Sequence, residues 1–335
     1  MVKIGINGFG RMGRLALRHS YSNQDIEFVA INEPNANAEN MATLLEFDTV
    51  QGRWDKSCSA DSTNILVEGK PIAFTSFNNP KDIPWSDFGV DLVLECSGAF
   101  RTTAGLMPHF ENGAKRVVVS APVKDGPPNI VMGVNHQSLD TENAKIVTAA
   151  SCTTNCLAPV VRVLHDAIGI ENGLVTTIHA PTNTQSVHDC AHKDPRRARA
   201  SLMILIPTST NSATAVTLII PELKGKLDSI AVRAPVHNAS LTDCVFQMQR
   251  DTTVEEVNSV IEKASKSAPL QGILGYETRP LVSSDYARDP RSGIVDALST
   301  RVTGKRLVKV MIWYDNEWGY VNRMMELTEL VAKDL

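Results

Sequence analysis

Residues Val2–Asn7 form an apolar strand pattern that runs straight into Gly8-Phe9-Gly10-Arg11-Met12-Gly13, and a helical pattern, Arg11–Ser20, begins inside those glycines. A strand that turns through GxGxxG into a helix is the opening unit of a sheet that holds a pyrophosphate. The glycines let the backbone turn tightly and approach the phosphates, whose charge meets free N–H groups at the helix N-terminus. Glu33 stands 20 residues beyond Gly13, where the second strand pattern, Ile26–Asn32, ends. A carboxylate there accepts hydrogen bonds from the adenosine ribose and repels a 2′-phosphate, which favours NAD over NADP.

The first 151 residues continue to alternate β-branched runs with helical stretches, adding strand patterns at Asp91–Ser97, Arg116–Ala121, Ile130–Val134 and Lys145–Ala150. This predicts a Rossmann-type, doubly wound parallel α/β sheet over 1–151. From Gly173 the strands lengthen and alternate, at Gly173–Ile178, Ser229–Ala234, Thr242–Gln249 and Arg306–Trp313, with helices expected over Thr210–Leu223 and Thr253–Ser267. The expectation is a second, α+β catalytic domain over 152–316 with a mostly antiparallel or mixed sheet. An apolar stripe over Glu317–Lys333 predicts a terminal helix, within 317–335, that packs back on the first domain.

The 335 residues carry a net charge of −4, with 43% hydrophobic and 21% charged residues, so the global basicity of a nucleic-acid binder is missing. No apolar run is long enough for membrane insertion, and the N-terminus lacks an export pattern. Six scattered cysteines without CxxC pairs fit reduced thiols in the cytoplasm and give no metal site.

One of those thiols has a special position. Cys152, in Ser151-Cys-Thr-Thr-Asn-Cys156, opens the helical pattern Thr153–Ala167. Unpaired N–H groups and the positive end of the dipole favour a thiolate there, lowering its pKa by about one unit or more, and would stabilise an oxyanion on a carbon attacked by the sulfur. Cys156 lies one turn deeper and fits a core thiol. His179 ends a strand and is the candidate base, although spacing alone does not place it beside Cys152. His19, His109, His136 and His165 fall on helical or loop surfaces.

The segments GINGFGRMG, SCTTNCLAP, HKDPRRARA, IPTST and WYDNEWGY together resemble phosphorylating glyceraldehyde-3-phosphate dehydrogenases along the whole chain. The resemblance implies that Cys152 attacks the aldehyde of glyceraldehyde 3-phosphate and that His179 takes the proton. It implies NAD held by Gly8, Gly10, Arg11, Met12, Gly13, Glu33, Ser97, Phe100 and Ser120, with Asn316 on the nicotinamide carboxamide and Tyr320 beside it. Thr182 and Arg233 would hold the substrate phosphate, while Ser151, Thr153, Arg199, Thr210 and Asn211 would line a pocket for the attacking inorganic phosphate or arsenate. The Lys193–Arg199 loop, which on its residues alone reads as a solvated basic loop or nucleic-acid patch, would border a neighbouring subunit in a homotetramer.

The chain departs from the family pattern at Asn211, usually glycine, at Ala180-Pro181 after His179, at Glu33-Pro34, and at Ala191, where proline often stands. Glu33-Pro34 is shared with erythrose-4-phosphate dehydrogenases, a rival reading whose thioester is released by water. A non-catalytic redox sensor with an oxidisable Cys152 is a second rival. The stretches NEP, LLEFDTVQGRW and NASLTDCVF are most similar to the subgroup associated with arsenate-resistance operons, in which arsenate replaces phosphate.

Overall fold

Strands with both faces apolar need cover on both sides, and this requirement organises the N-terminal half. A computed structural model describes residues 1–123 and 125–335. The chain divides into two compact units: Met1–Ile130, His136–Ala150 and Val321–Leu335 form the first, and Val131–Asn135 and Ser151–Tyr320 the second.

The first unit runs β1 (Val2–Asn7), α1 (Arg11–Ser20), β2 (Ile26–Asn32), α2 (Ala38–Glu46), β3 (Cys58–Ala60), β4 (Asn64–Val67), β5 (Lys70–Thr75), β6 (Leu92–Glu95), α3 (Thr103–Glu111), β7 (Arg116–Val119) and β8 (Ile146–Thr148). The sheet order among the described residues is β3-β4-β5-β2-β1-β6-β7-β8. From β5 to β8 every neighbour is parallel, and β3 and β4 add an antiparallel edge. β1 lies between β2 and β6, where the winding reverses, and ligands bind at the carboxyl ends of strands at such a switch point.

Two sequence expectations fail here. Ile130–Val134 is not a strand: only an isolated bridge joins Asn129 to Thr148, and the backbone then turns, with Val134 N–H donating to Val131 O at 3.0 Å and Val131 N–H to Asn135 Oδ1 at 2.8 Å. His109 is not on the surface. It is fully buried, accepting from Trp85 Nε1 at 3.0 Å through Nδ1 and donating from Nε2 to Glu95 Oε2 at 3.1 Å.

The second unit contains α4 (Cys152–Ala167), β9 (Ile170–His179), β10 (Ile206–Ser209), α5 (Ser212–Ile219), β11 (Leu227–Arg233), β12 (Ser240–Met248), α6 (Val254–Ser265), β13 (Leu274–Glu277), β14 (Gly293–Asp296), β15 (Arg301–Thr303) and β16 (Leu307–Tyr314). Its sheet is mixed, in the order β10-β11-β9-β12-β16-β14-β13 with β15 against β16. Parallel pairing occurs between β9 and β11 and between β13 and β14. α5 stops short of the expected Leu223 because Pro221, which opens a separate 3₁₀ turn, disfavours helical backbone at Ile220. The last helix, α7 (Trp318–Ala332), belongs from Val321 onward to the first unit; it buries Val321, Met324, Met325, Leu327 and Val331, and within that unit Asn23 donates to its Glu329 at 2.7 Å.

Candidate active site

In the first unit the glycine turn is held by backbone sterics. Gly8 has φ +90°, and a Cβ there would lie 2.4 Å from Ser97 N. No other residue fits without moving the chain. Gly10 caps α1 with no side chain over its N–H groups, and a Cβ at Gly10 would meet nothing within 4 Å. The turn therefore presents open space to a helix N-terminus, and these residues fit a dinucleotide pyrophosphate.

Glu33 ties this turn to the end of β2: Oε2 accepts from Phe9 N at 2.9 Å, and Oε1 accepts from Asn35 N at 3.0 Å and from Asn35 Nδ2 at 3.1 Å. Oε2 keeps acceptor capacity for a ribose hydroxyl. Ser97 N–H and hydroxyl both donate to Glu95 Oε1, so Ser97 is oriented by a buried carboxylate. Arg11 pairs with Asp48, Ser120 bonds Cys96, and Phe100 packs on the cluster around Leu106. Met12 is half-buried on the first turn of α1.

The second unit brings the thiol and the imidazole together. Ala150, at φ +53°, turns the chain into α4, Ser151 caps that helix by accepting from Thr154 N at 3.1 Å, and Cys152 follows at the first helical position. His179 ends β9, with Nε2 3.5 Å from Cys152 Sγ. Ala180 O lies 2.6 Å from His179 Nδ1. Nδ1 lies between this carbonyl, which accepts, and Arg233 Nη1, which donates and also reaches Ala180 O at 3.1 Å, while Nε2 faces the sulfur.

Electrostatics corrects one expectation. Burial raises the Cys152 thiol above its ordinary value, although Arg233, Thr153 and backbone N–H groups pull it down. Desolvation and the Arg233 charge push His179 down to about 3. The pair is thus thiol and neutral imidazole, because burial outweighs the helix dipole.

Two donors stay open: Arg233 Nε and Gln185 Nε2 are buried without a hydrogen-bond partner among the described residues. Gln185 Oε1 in turn accepts from Thr182 N at 3.0 Å, and Thr182 Oγ1 lies 2.9 Å from Thr184 Oγ1. Thr153 Oγ1 meets Tyr314 OH at 2.9 Å and stands 4.0 Å from the Cys152 sulfur.

Arg199 is exposed and donates from Nε to Asp189 at 3.1 Å. Arg197, two residues earlier, donates to Thr208 Oγ1 at 2.7 Å and to Ser209 O at 3.1 Å, beside Thr210, and its charge helps to lower the Arg233 pKa. Thr210 Oγ1 bonds Ser212 Oγ at 2.7 Å, and Asn211 caps α5 without a side-chain bond. Three arginines crowd HKDPRRARA, and only the fold tells which one reaches β10. Tyr314 was also missed, although it falls on the buried face of the alternating β16.

Asn316 follows β16 and accepts from Ser240 Oγ at 2.9 Å through Oδ1, and Tyr320 is buried in α7. No cluster of three or more His, Cys, Asp or Glu among the described residues could hold a metal ion.

Comparison with known proteins agrees with both halves of the geometry. Residues 2–103 match the NAD binding domain of glyceraldehyde 3-phosphate dehydrogenase, and residues 151–316 match its C-terminal domain. The chain is 59% identical over 334 residues, 100% of its own length and 99% of the relative's, to glyceraldehyde-3-phosphate dehydrogenase 3 of a Nostoc species. Identity is 46% over 331 residues to glyceraldehyde-3-phosphate dehydrogenase 2 of Bacillus subtilis, covering 99% and 97% of the two chains. It is 48% over 328 residues to glyceraldehyde-3-phosphate dehydrogenase of Pseudomonas aeruginosa, covering 97% and 96%. An NAD-binding Rossmann domain, a thiol–imidazole pair and full-length identity of this order have one reading: the chain belongs to the glyceraldehyde-3-phosphate dehydrogenase family.

Proposed function

We propose that this protein oxidises D-glyceraldehyde 3-phosphate with NAD through a thioester on Cys152, and that inorganic phosphate or arsenate releases the product as 1,3-bisphosphoglycerate or 1-arseno-3-phosphoglycerate. The observation that carries the reading is the 3.5 Å approach of Cys152 Sγ to His179 Nε2. Residues 1–151 with the C-terminal helix are assigned to the cofactor, and 152–316 to the chemistry.

The substrate phosphate is assigned to Arg233 and Thr182, with the orphan Nε of Arg233 as one of its donors. A dianion there offsets the guanidinium charge that depresses His179, so substrate binding itself makes Nε2 a better base. Nε2 then takes the thiol proton as sulfur adds to the aldehyde carbon and passes it to the new alkoxide, forming a thiohemiacetal whose oxygen faces N–H groups at the start of α4 and leaving Nε2 free again as a base. Bound NAD would supply the hydride acceptor for this carbon. As the hydride leaves, His179 removes the hydroxyl proton and the carbonyl of the thioester forms. The attacking anion is assigned to Ser151, Thr153, Thr210, Asn211 and Arg197, with Arg197 in place of Arg199. Its attack expels the Cys152 thiolate.

The finer readings are part of the same proposal. The stretches NEP, LLEFDTVQGRW and NASLTDCVF support membership of the arsenate-resistance subgroup. The exposed Leu174, Ile178 and Ile230 on β9 and β11, with Leu202, Met203 and Leu205 before β10, support a homotetramer, since an apolar face of this extent is normally covered. Six unpaired cysteines fit the reducing cytoplasm. No helix of the described residues is long and apolar enough to cross a membrane.

The test is NADH formation from glyceraldehyde 3-phosphate and from erythrose 4-phosphate, each with phosphate, with arsenate and with neither anion. Anion-dependent turnover of the triose supports the proposal. Anion-independent turnover of the tetrose would make this an erythrose-4-phosphate dehydrogenase, and absence of NADH in every arm would leave a redox-sensing relative.

A further inference from the structure

Glu95 ends β6, and its buried carboxylate lies under the exposed turn Ser97-Gly98-Ala99. Four donors converge on it. Asn7 Nδ2 at 2.6 Å and His109 Nε2 at 3.1 Å meet Oε2, while Ser97 N–H at 2.8 Å and the Ser97 hydroxyl meet Oε1. Asn7 carries the network onward: its Oδ1 accepts from Asn32 Nδ2 at 2.9 Å, and Asn32 Oδ1 accepts from Phe77 N at 2.8 Å. These buried polar groups tie the carboxyl ends of β1, β2 and β6 together at the switch point, within the first unit alone.

Trp85 fixes the direction of these bonds. An indole N–H only donates, so its 3.0 Å contact makes His109 Nδ1 an acceptor, puts the ring proton on Nε2 and turns it toward Glu95. Asn7, His109 and the Ser97 backbone all bring N–H groups to the carboxylate, and the Ser97 hydroxyl commits its one proton to the same group. Ala99 N–H donates to Ser97 Oγ at 3.1 Å. The hydroxyl is left with one lone pair and no proton, and the Ser97 N–H is committed as well.

We infer that Glu95 is a positioning residue of the cofactor site: anchored by His109 and Asn7, it makes Ser97 a hydrogen-bond acceptor only, so that Ser97 takes a ribose hydroxyl of the dinucleotide and not a phosphate oxygen. A phosphate oxygen would meet the serine oxygen with no proton between them, whereas a ribose hydroxyl donates. The phosphates are left to the open N-terminus of α1 at Gly10. The inference rests on the proposed assignment of Ser97 to NAD and adds which group Ser97 recognises and what imposes that choice.

The test is titration calorimetry with ADP-ribose, which carries both riboses and the pyrophosphate of NAD. Ser97→Ala should weaken it by roughly 3- to 10-fold, the effect of one hydrogen bond. Glu95→Gln keeps the shape but accepts on one oxygen only. Buried Asn7 and His109 hold that oxygen, so the NH₂ turns to Ser97, occupies its lone pair and frees its proton. Glu95→Gln should therefore weaken ADP-ribose as much as Ser97→Ala does, and the double variant should bind within about twofold of either single one, because both changes remove the same contact. A second pair of variants leaves the carboxylate in place and decides the matter if Glu95→Gln does not fold. His109→Leu, which removes one anchor, should weaken ADP-ribose by about threefold, and His109→Gln, which keeps an N–H donor, should restore it. If Ser97→Ala weakens ADP-ribose while Glu95→Gln leaves it unchanged or tightens it, or if the two losses multiply in the double variant, the inference is overturned and the role of Ser97 stands. Equal binding by His109→Leu and the unsubstituted protein overturns it in the same way. If Ser97→Ala leaves ADP-ribose binding unchanged, the inference and that role fail together.

Discussion

Cys152 Sγ and His179 Nε2 face each other at 3.5 Å across the gap between the first turn of α4 and the end of β9. A half-buried thiol and a neutral imidazole at this separation store no charge until a substrate arrives. The pair can exchange one proton as the sulfur attacks, and each partner can be removed separately.

Cys152→Ser should abolish oxidation and leave NAD binding intact, because a serine hydroxyl does not ionise in this setting and the cofactor cradle lies in the other unit. Steady-state rates alongside NAD titration check this, and a residual rate above a few per cent would remove Cys152 as nucleophile. His179→Asn should slow turnover by roughly 10²- to 10⁴-fold, the range of general acid–base catalysis. An unchanged rate would put the base elsewhere.

His179 also predicts a pH dependence of stability. Its pKa in the folded protein, about 3, lies below the ordinary value of 6.5, so between those limits the unfolded chain binds the proton that the folded chain refuses. Stability from the neutral ring is full above 6.5 and is lost as pH falls toward 3, by about 1.4 kcal/mol per pH unit at most. Urea unfolding of the wild type and of His179→Asn at several pH values reads this directly. The stability gap between them should move against the wild type as pH drops, and a constant gap would contradict the buried, uncharged ring.

Arg197 and Arg199 make opposite predictions. Arg197→Ala should raise the KM for phosphate and for arsenate together, since both present the same tetrahedral acceptors, while the aldehyde KM moves much less. Arg199→Ala, which loses only an exposed pair with Asp189, should change neither. Titrating anion and aldehyde separately at saturating NAD decides between them, and an anion defect in Arg199→Ala alone would assign the anion to Arg199.

Glu33→Ala should weaken NAD and narrow its preference over NADP, because it removes both a ribose acceptor and the anchor of Phe9 N–H. Kinetics with the two cofactors measure the ratio. A ratio that does not move would place Glu33 away from the ribose.

The sequence was most legible where local rules and packing agree. β1, α1 and β2 fall on the predicted residues, because an alternating strand, a glycine turn and an amphipathic helix each announce themselves within a few positions. α6 likewise begins where Thr253 accepts from Glu256 N at 3.2 Å. What stayed hidden depends on contacts distant in sequence. His109 looks like a surface histidine on α3 until Trp85 and Glu95 surround it, 24 and 14 residues away. Arg197 and Arg199 are equivalent in sequence and differ only in which one reaches β10. The Cys152 thiol looked activated because helix position is a local signal, whereas the burial that raises its pKa is not.

The most direct test of a thioester on Cys152 is a rapid-mixing experiment with enzyme, NAD and glyceraldehyde 3-phosphate, first without phosphate or arsenate. The account predicts a burst of about one NADH per Cys152 followed by near arrest, and sustained turnover once either anion is added. A steady rate from the first turnover that ignores the anion, or a burst that persists in Cys152→Ser, would contradict it.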